Sequence, residues 1–335
     1  VVYICSNADI ARQNISRLNV TGQKDFQLTD RITLLPGRVR HLEKNKLNFI
    51  SFTPGTSFKL GHSEGQEEER RLAYWLLKST WPRLFESTAA LNIFQGGSSK
   101  DNFRRRLRAD EPTKWIDARL AKQFTAHVRS KDQALRASGE LSYKDRFRDL
   151  CDRFHRNRKH LPPEDRHDRR AFVGEMRALL AETCIEALEP DLIILDEFQR
   201  FKSLLDPADE AGSLARMLFE WRDARVLLLS ATPYKMYTLS HESDVDDHYR
   251  DFVGTLRFLL DDEMRTERVQ GLLTEYGRAS ARLDRDGMDP LRTVKGRLET
   301  ELRRVMCRTE KLAVTEDRSG MLRDADGLGL SLRPE

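Results

Sequence analysis

The spacing of hydrophobic residues changes along the chain, and residues 1–60 alternate between strand and helix patterns. Apolar runs at 2–6 and 47–55 predict strands, and a shorter run at 31–35 predicts another. Apolar residues at 10–18 recur at the three- and four-residue spacing of a helix. This order of elements is typical of an α/β fold.

A different pattern begins near residue 61. Charged segments rich in Leu and Arg, at 66–85, 114–128 and 164–188, carry apolar residues at helical spacing. Gly- and Pro-containing breakers separate these segments, and none of them alternates as a strand does. The pattern predicts a helical insertion over 61–187.

The α/β pattern returns after the insertion. The run at 192–195 predicts a strand, apolar residues after Pro207 fall on one helical face, and 225–233 predicts another strand. Strand, helix and strand at this spacing predict two parallel strands joined by a crossover helix. Because both strands are continuously apolar, we expect the sheet to be covered on both faces.

These patterns divide the chain into three parts. Residues 1–60 and 188–240 are predicted to form one α/β lobe with a parallel sheet, which the largely helical insertion at 61–187 interrupts. Residues 241–335 are again charged and helical, and they are predicted to form a helical extension.

Composition narrows the class of protein. Charged residues make up 33% of the 335 residues, above the roughly 25% of typical soluble domains. No apolar run approaches the ~20 residues of a membrane helix, so no membrane partner is expected. Four widely spaced cysteines without a CxxC pair favour free thiols and a cytoplasmic location. The chain begins inside an apolar run and without Met, which indicates an excerpt of a longer protein.

Positive charge is concentrated in the insertion. Residues 100–170 contain 21 Lys and Arg against 12 Asp and Glu, although the whole chain carries only +4. The runs 104–108, with Arg104, Arg105 and Arg106, and 153–160, with Phe154 interleaved, suit a nucleic-acid backbone. A solvated helix face or an acidic protein partner remains the alternative.

Polar residues follow three of the predicted strands: Ser6-Asn7, Asp196-Glu197 and Ser230-Ala231-Thr232. They are expected to converge on one edge of the sheet. The most unusual are Asp196 and Glu197, after the apolar run at 192–195. In a parallel α/β sheet, ligands bind at the carboxyl ends of the strands. An Asp in this place can hold a magnesium ion that bridges nucleotide phosphates, and the next Glu can orient or deprotonate an attacking water. The alternative is a pair of solvated acids at a strand end.

The residues around these acids resemble sequence motifs of a known family of motor proteins. Asp196-Glu197-Phe198-Gln199 resembles the DExx box of superfamily 2 helicases and translocases, and Ser230-Ala231-Thr232, 34 residues on, resembles their Ser-Ala-Thr motif. The stretch 196–203 is similar to the Asp-Glu-x-His-Arg-x-Lys-Asn pattern of the Swi/Snf-like branch, which includes bacterial helicase-related proteins, with Gln199 in the His place. Weaker similarities concern 3–14 (motif Ia), 53–55 (motif Ib), 256–262 and 303–311.

The resemblance implies a RecA-like lobe of a P-loop NTPase that uses ATP and Mg²⁺. Asp196 would hold Mg²⁺, Glu197 would activate water, and Gln199 would sense the nucleotide. Ser230 and Thr232 would couple hydrolysis to movement on double-stranded DNA. Candidate contacts to the nucleic-acid backbone are Ser6, Asn7, Arg12 and Thr53. The implied function is that of an ATP-dependent DNA translocase or helicase.

One family motif is absent from these residues. No Gly-Lys pair occurs in the chain, so the nucleotide loop G-x-x-x-x-G-K-[ST], which lies upstream of motif Ia in the family, is missing. The second RecA-like lobe of the family, toward which 241–335 would extend and which would bring the arginine finger, is also missing. The fragment alone is therefore expected to hydrolyse ATP poorly or not at all. The alternative is a catalytically inactive RecA-like scaffold that binds nucleic acid or a protein partner. A metal-dependent nuclease is a weaker third interpretation, because no further acid and lysine complete such a centre.

Overall fold

The computed structural model describes residues 1–20, 27–29, 31–38, 47–58, 60, 63–110, 116–156, 161–205, 210–221, 223–230, 248–283 and 287–307. The chain divides into two compact units, Val1–Asp251 and Phe252–Glu335.

The first unit contains a five-stranded sheet in which every pairing is parallel. Its strands are β1 (Val2–Ile4), β2 (Gln27–Thr29), β3 (Phe49–Phe52), β4 (Leu192–Asp196) and β5 (Arg225–Leu229). They lie in the order β2-β3-β1-β4-β5, so β4 pairs with β1 across nearly two hundred residues of chain. The predicted α/β class with a parallel sheet is confirmed.

Helix α1 (Ala8–Leu18) follows β1 and covers one face of the sheet. The side chain of Asn7 caps it by accepting a hydrogen bond from the backbone N–H of Asp9. Its apolar residues join those of the strands in one buried cluster: Tyr3, Cys5, Ala11, Ile15, Phe49 and Ile194. This packing fixes α1 beside the carboxyl ends of β1 and β4.

Between β3 and β4, the only regular elements among the described residues are helices. The α-helices are α2 (Pro54–Ser57), α3 (Glu67–Thr80), α4 (Ala89–Phe94), α5 (Lys100–Ala109), α6 (Ala118–Ala137), α7 (Tyr143–Arg153) and α8 (Pro163–Glu186), with a 3₁₀-helix at Pro82–Phe85. Their core is aromatic: the ring of Phe147 lies 5.2 Å from the rings of both Phe85 and Phe172. Rings in contact at this distance stabilise a helical core beyond their buried area.

A buried ionic cluster joins α3 and α8 to the segment before β3. Glu69 and Arg177 are 0% and 2% exposed at their side chains, and Arg177 Nη2 lies 2.7 Å from Glu69 Oε1. Thr33 Oγ1 donates to the same carboxylate at 2.6 Å, and the backbone N–H of Gln66 donates to Oε2 at 2.7 Å. Arg177 also donates to the carbonyl of Ser63 at 2.8 Å. We call Glu69, Arg177, Thr33 and Gln66 the Glu69 cluster.

Gly65 makes room for this cluster. Its φ is +67°, in the left-handed region, and a Cβ at this position would collide with the Arg177 guanidinium. Only glycine satisfies both constraints.

The predicted strand at 31–35 is wrong. A 3₁₀-helix, Ile32–Gly37, occupies that position, with Ile32, Leu34 and Leu35 all buried. The helical turn directs the Thr33 hydroxyl to Glu69, and Pro36 lacks the N–H that a ladder would need. The strand of this region is instead β2, which the apolar pattern does not predict.

The expectation that both faces of the sheet are covered is wrong at β5. Among the described strands β5 lies at the end of the sheet, and Leu227 and Leu229 are 44% and 37% exposed. The neighbouring β4 is buried at Ile193, Ile194 and Leu195, as expected. A continuous apolar run therefore does not distinguish a central strand from an edge strand.

The helix predicted between β4 and β5 is present as α9 (Glu210–Phe219), and its buried residues lie on one face: Ala211, Leu214, Ala215 and Leu218. Pro207, its predicted first residue, lies outside the described residues. A 3₁₀-helix, Phe198–Leu205, leads from β4 toward α9.

Helix α10 (His248–Leu260) crosses the boundary between the units. The second unit contains α11 (Glu263–Ala281) and α12 (Met288–Leu302), which pack against each other. No helix in the described part of the chain is long and apolar enough to cross a membrane. All four cysteines are free thiols, as predicted, and Cys5, Cys151 and Cys184 are buried.

Candidate functional site

The strand register brings the predicted site residues of the sheet to one edge. Ile4 pairs with Phe52 on one side and with Leu195 on the other, and Leu195 pairs in turn with Leu228. Four predicted residues follow these aligned positions: Ser6, Thr53, Asp196 and Ser230. The convergence expected for a parallel sheet is thus present.

Asp196 is the last residue of β4, and two side chains hold its carboxylate. Tyr3, on β1, donates its hydroxyl proton to Asp196 Oδ2 over 2.6 Å. Asn14, on α1, donates from Nδ2 to the same oxygen over 3.1 Å and to the Tyr3 hydroxyl oxygen over 2.9 Å. Three elements of the lobe, β1, β4 and α1, therefore meet at this carboxylate.

The three side chains form a closed set of hydrogen bonds. A phenol has one proton to donate, and Tyr3 gives it to Asp196. The Asn14 amide nitrogen has two protons, and it gives one to Tyr3 and one to Asp196. An ionised carboxylate accepts only, so the amide nitrogen rather than the amide oxygen must face it. Within the described residues Oδ1 of Asp196 has no hydrogen-bond partner.

Burial, followed by the hydrogen bond to Asp196, raises the pKa of Tyr3 well above its ordinary value of 10. Tyr3 therefore remains a protonated donor at any pH near neutrality. Burial disfavours a charged phenolate, and a neighbouring carboxylate disfavours it further.

Glu197 has an unusual backbone conformation. Its φ is +53°, in the left-handed region that residues with a Cβ seldom adopt. The turn ends β4 and points the carboxylate toward the end of β1, where Ser6 Oγ donates to Glu197 Oε2 over 3.3 Å. Arg200 lies 3.4 Å from the same oxygen in an exposed ion pair. Glu189 and Asp261 have the same left-handed conformation, so positive φ does not by itself mark Glu197 as functional.

We expect the strain at Glu197 to appear in a comparison of two variants. Glu197→Gly should have a free energy of unfolding about 1 kcal/mol higher than Glu197→Ala, because glycine adopts positive φ without the cost that a Cβ brings. At Gln133, an exposed position inside α6, the order should reverse, with Ala more stable than Gly by about 1 kcal/mol. Urea denaturation of the four variants measures both differences. If the Ala variant were the more stable one at both positions, the backbone of Glu197 would not be strained.

Gln199 contains an unsatisfied atom. Its Oε1 is buried and has no hydrogen-bond partner among the described residues. Eight other buried side-chain atoms in the described residues share this state, so it does not by itself mark a ligand site. Gln199 lies in the 3₁₀-helix directly after Glu197.

The residues at this edge fit a magnesium ion that substrate oxygens help to hold. Mg²⁺ takes one or two protein carboxylates and fills its other positions with water and phosphate oxygens. Asp196 and Glu197 supply such oxygens, whereas the described ranges contain no group of three His, Cys, Asp or Glu residues arranged for a metal.

The other predicted residues of the lobe have structural partners. Asn7 uses its side-chain oxygen to cap α1, and Arg12 forms an exposed ion pair with Asp9 at 2.9 Å. Thr53 precedes α2, and Ser230 follows β5. Thr232 lies outside the described residues.

The predicted basic surface is only partly present. Arg104, Arg105 and Arg106 lie on α5, where Arg105 is exposed and Arg106 pairs with Glu67 at 3.2 Å. The suggestion that Phe154 is interleaved among exposed cations is wrong, because it is 2% exposed. The Phe154 carbonyl accepts a hydrogen bond from Asn92, which anchors it to α4.

Much of the positive charge of 100–170 is neutralised inside the molecule. Arg153 pairs with three aspartates, Asp149, Asp165 and Asp168. Other cations of this region pair with acids outside it: Arg106 with Glu67, Arg119 with Glu189, Lys131 with Glu182, Arg146 with Glu175, and Arg169 with Glu64. Part of the basic surplus is therefore offset by ion pairs within the protein.

Sequence reasoning missed Tyr3 and Asn14. They bond to Asp196 across 193 and 182 residues of chain. Both lie in 3–14, the segment similar to motif Ia, but that similarity implies contacts to nucleic acid and none to Asp196. Only the pairing of β1 with β4 brings them to the acid.

Neither protein-family models, nor curated proteins, nor solved structures match this chain.

Proposed function

We propose that this chain is part of an ATP-dependent DNA translocase or helicase of the superfamily 2, Swi/Snf-like type, with a RecA-like lobe. The observation that carries the proposal is the acid pair at the end of β4. Asp196 is fixed by two donors, and Glu197 stands in a strained turn beside Ser6. A carboxylate fixed at the end of a buried strand, with a second acid beside it, suits metal-dependent phosphate chemistry.

The two acids have different surroundings, which supports different roles. Asp196 is hydrogen-bonded through Oδ2, and its Oδ1 would hold Mg²⁺, which neutralises phosphate charge when bound. Glu197 is 40% exposed at its side chain, and its exposed contact with Arg200 is worth at most about 1 kcal/mol. Glu197 is therefore the group that can turn toward a water and accept its proton.

Helix α1 and the neighbouring strand ends are the proposed nucleic-acid side of the lobe. Ser6, Arg12 and Thr53 carry hydrogen-bond donors at or near the edge that holds the acids. Such groups bind phosphate oxygens without regard to base sequence. Ser230, at the same edge after β5, is proposed to link the acids to movement along DNA, together with Thr232.

The test is the ATPase rate of the full-length protein, with and without double-stranded DNA, in Mg²⁺ and in EDTA. We expect Mg²⁺-dependent hydrolysis that DNA stimulates. Absence of hydrolysis in every condition would overturn the proposal, and retained DNA binding in that case would favour the inactive scaffold.

The insertion offers a second, separate prediction. Reversing the charge of Arg104, Arg105 and Arg106 to Glu should weaken binding of double-stranded DNA, because fewer phosphates are neutralised. The slope of log affinity against log salt should become shallower by about 0.9 for each phosphate that the variant no longer neutralises. Fluorescence anisotropy at several salt concentrations measures both.

A control uses two cations that are less exposed than Arg106, whose side chain is 57% exposed even though it pairs with Glu67. Reversing Arg146 and Arg153 removes the same kind of charge, but from side chains that pair with Glu175 and with three aspartates. A smaller effect on DNA affinity is expected there. Equal affinity of wild type and the Arg104, Arg105 and Arg106 variant would exclude α5 from the DNA-binding surface.

A further inference from the structure

The hydrogen bonds from Tyr3 and Asn14 to Asp196 converge on one oxygen, and compensating the charge of the carboxylate does not require this. Both donors bind one carboxylate oxygen, Oδ2, at 2.6 and 3.1 Å, rather than one donor at each oxygen. The carboxylate is thereby held in one rotational position, with Oδ1 left for another partner. Outer-shell donors orient metal-binding carboxylates in this manner.

The donors themselves are held firmly. Tyr3 is 2% exposed and lies in the central strand of the sheet, in register with Ile194, two residues before Asp196 on the same strand face. Asn14 precedes Ile15, which is fully buried in the same apolar cluster as Tyr3. Each donor also bonds to the other at 2.9 Å, so neither can turn away without breaking a second bond.

We propose that Tyr3 and Asn14 are positioning residues that orient the Asp196 carboxylate so that Oδ1 faces a divalent cation. This inference rests on the proposed function, since it assigns the Mg²⁺ of ATP to Asp196. It adds two residues outside the DExx box, one on β1 and one on α1, on which the affinity for that metal depends.

The alternative role for Tyr3 and Asn14 is purely structural. In that case the two donors would only compensate the partial burial of Asp196, and their loss would lower stability without changing metal affinity. The two roles differ in what is measured, because metal affinity and thermal stability are separate quantities.

The experiment titrates Mn²⁺, as a spectroscopic substitute for Mg²⁺, into the full-length protein with the ATP analogue AMP-PNP. Free Mn²⁺ is followed by electron paramagnetic resonance. Tyr3→Phe removes only the hydroxyl, and Asn14→Leu keeps the side-chain size without the amide. Each should weaken Mn²⁺ binding about 10-fold or more, the usual effect of losing an outer-shell donor. Affinity for AMP-PNP in EDTA should stay unchanged.

Two control variants match these changes. Tyr74→Phe removes a hydroxyl from a buried tyrosine of the helical insertion, and Gln13→Leu makes the corresponding change at an exposed position of α1. Both should bind Mn²⁺ as wild type does. Melting temperatures of all variants show which of them are folded, and Asn14→Leu, at a partly exposed position, keeps the test available if Tyr3→Phe does not fold.

Asp196→Asn separates failure of this inference from failure of the proposed function. If Asp196→Asn weakens Mn²⁺ binding and Tyr3→Phe and Asn14→Leu do not, the positioning role is overturned while the metal site stands. If Asp196→Asn binds Mn²⁺ as tightly as wild type, the metal assignment itself is overturned. Weakening in all three variants, with unchanged controls, supports the inference.

Discussion

Replacing Glu197 by Gln should lower DNA-stimulated ATP hydrolysis by about 10²- to 10⁴-fold, the usual contribution of a general base. Gln has nearly the shape of Glu but cannot accept the proton of the attacking water. ATP and Mg²⁺ should still bind, because Asp196 and its two donors are unchanged. Steady-state ATPase assays give the rate, and a fluorescent ATP analogue gives the affinity.

Glu189→Gln is the matched control. Glu189 is also a left-handed glutamate, with φ +43°, but it lies before β4, at the opposite end of the strand from Glu197. Its carboxylate contacts Arg119 at 3.7 Å in an exposed pair. We expect wild-type ATPase from this variant. Equal ATPase rates in wild type and Glu197→Gln would show that Glu197 takes no part in ATP hydrolysis.

The elements that the sequence predicts correctly are those that local pattern determines. A buried parallel strand needs a run of apolar residues, as at 192–195, and an amphipathic helix such as α1 needs apolar residues at helical spacing. Residues at the ends of such strands are then placed by the geometry of the sheet. For this reason the prediction that Ser6, Asp196 and Ser230 lie at one edge is confirmed.

The parts that the sequence does not predict depend on partners far away in the chain. Residues 31–35 are apolar enough for a strand, but Thr33 bonds to Glu69, and the segment turns into a 3₁₀-helix. Tyr3 looks like an ordinary strand residue until β4 lies beside β1. The charge of 100–170 looks like a binding surface until Arg153 meets its three aspartates. No local pattern encodes these pairings.

The Glu69 cluster should dominate the stability of the first unit. Glu69→Gln should lower the free energy of unfolding by about 3–5 kcal/mol, because it leaves the Arg177 charge buried without its partner. Arg177→Met should lower it by less, because Glu69 keeps a second cation, Arg31, at 3.3 Å. Both side chains are almost fully buried, so solvent cannot take the place of the lost ion. Urea denaturation, followed by circular dichroism, measures the change.

Arg146→Met is the matched control for burial. Arg146 binds Glu175 through two hydrogen bonds of 2.7 Å each, a geometry as good as that of Arg177 with Glu69. The difference is exposure, since both side chains of the Arg146 pair are 32% exposed. We expect a loss of less than about 1 kcal/mol there. Similar losses at the two pairs would show that burial does not determine how much the Glu69–Arg177 pair contributes to the free energy of unfolding.

The double variant, Glu69→Leu with Arg177→Met, should be less destabilised than the sum of the single variants, since the one cation that it leaves unpaired, Arg31, is 23% exposed and within reach of water. It should not reach wild-type stability, because Thr33, the N–H of Gln66 and the carbonyl of Ser63 all lose a partner. If the loss of unfolding free energy in the double variant equals the sum of the two single losses, the charges of Glu69 and Arg177 do not stabilise each other.

The same cluster gives a pH dependence of known sign. Burial alone would raise the pKa of Glu69, but the charge of Arg177 and the hydrogen bonds from Thr33 and Gln66 lower it below its ordinary 4.5. A carboxyl whose pKa is lowered in the folded state stabilises above its ordinary pKa, and this contribution disappears as pH falls through the lowered value. Wild type should therefore lose stability below about pH 4.5 more steeply than Glu69→Gln, which has no proton to bind at this position. The free energies of unfolding of the two proteins could instead fall in parallel from pH 7 to pH 3. That outcome would contradict this assignment, because protonation of Glu69 would then not be the cause of the acid destabilisation.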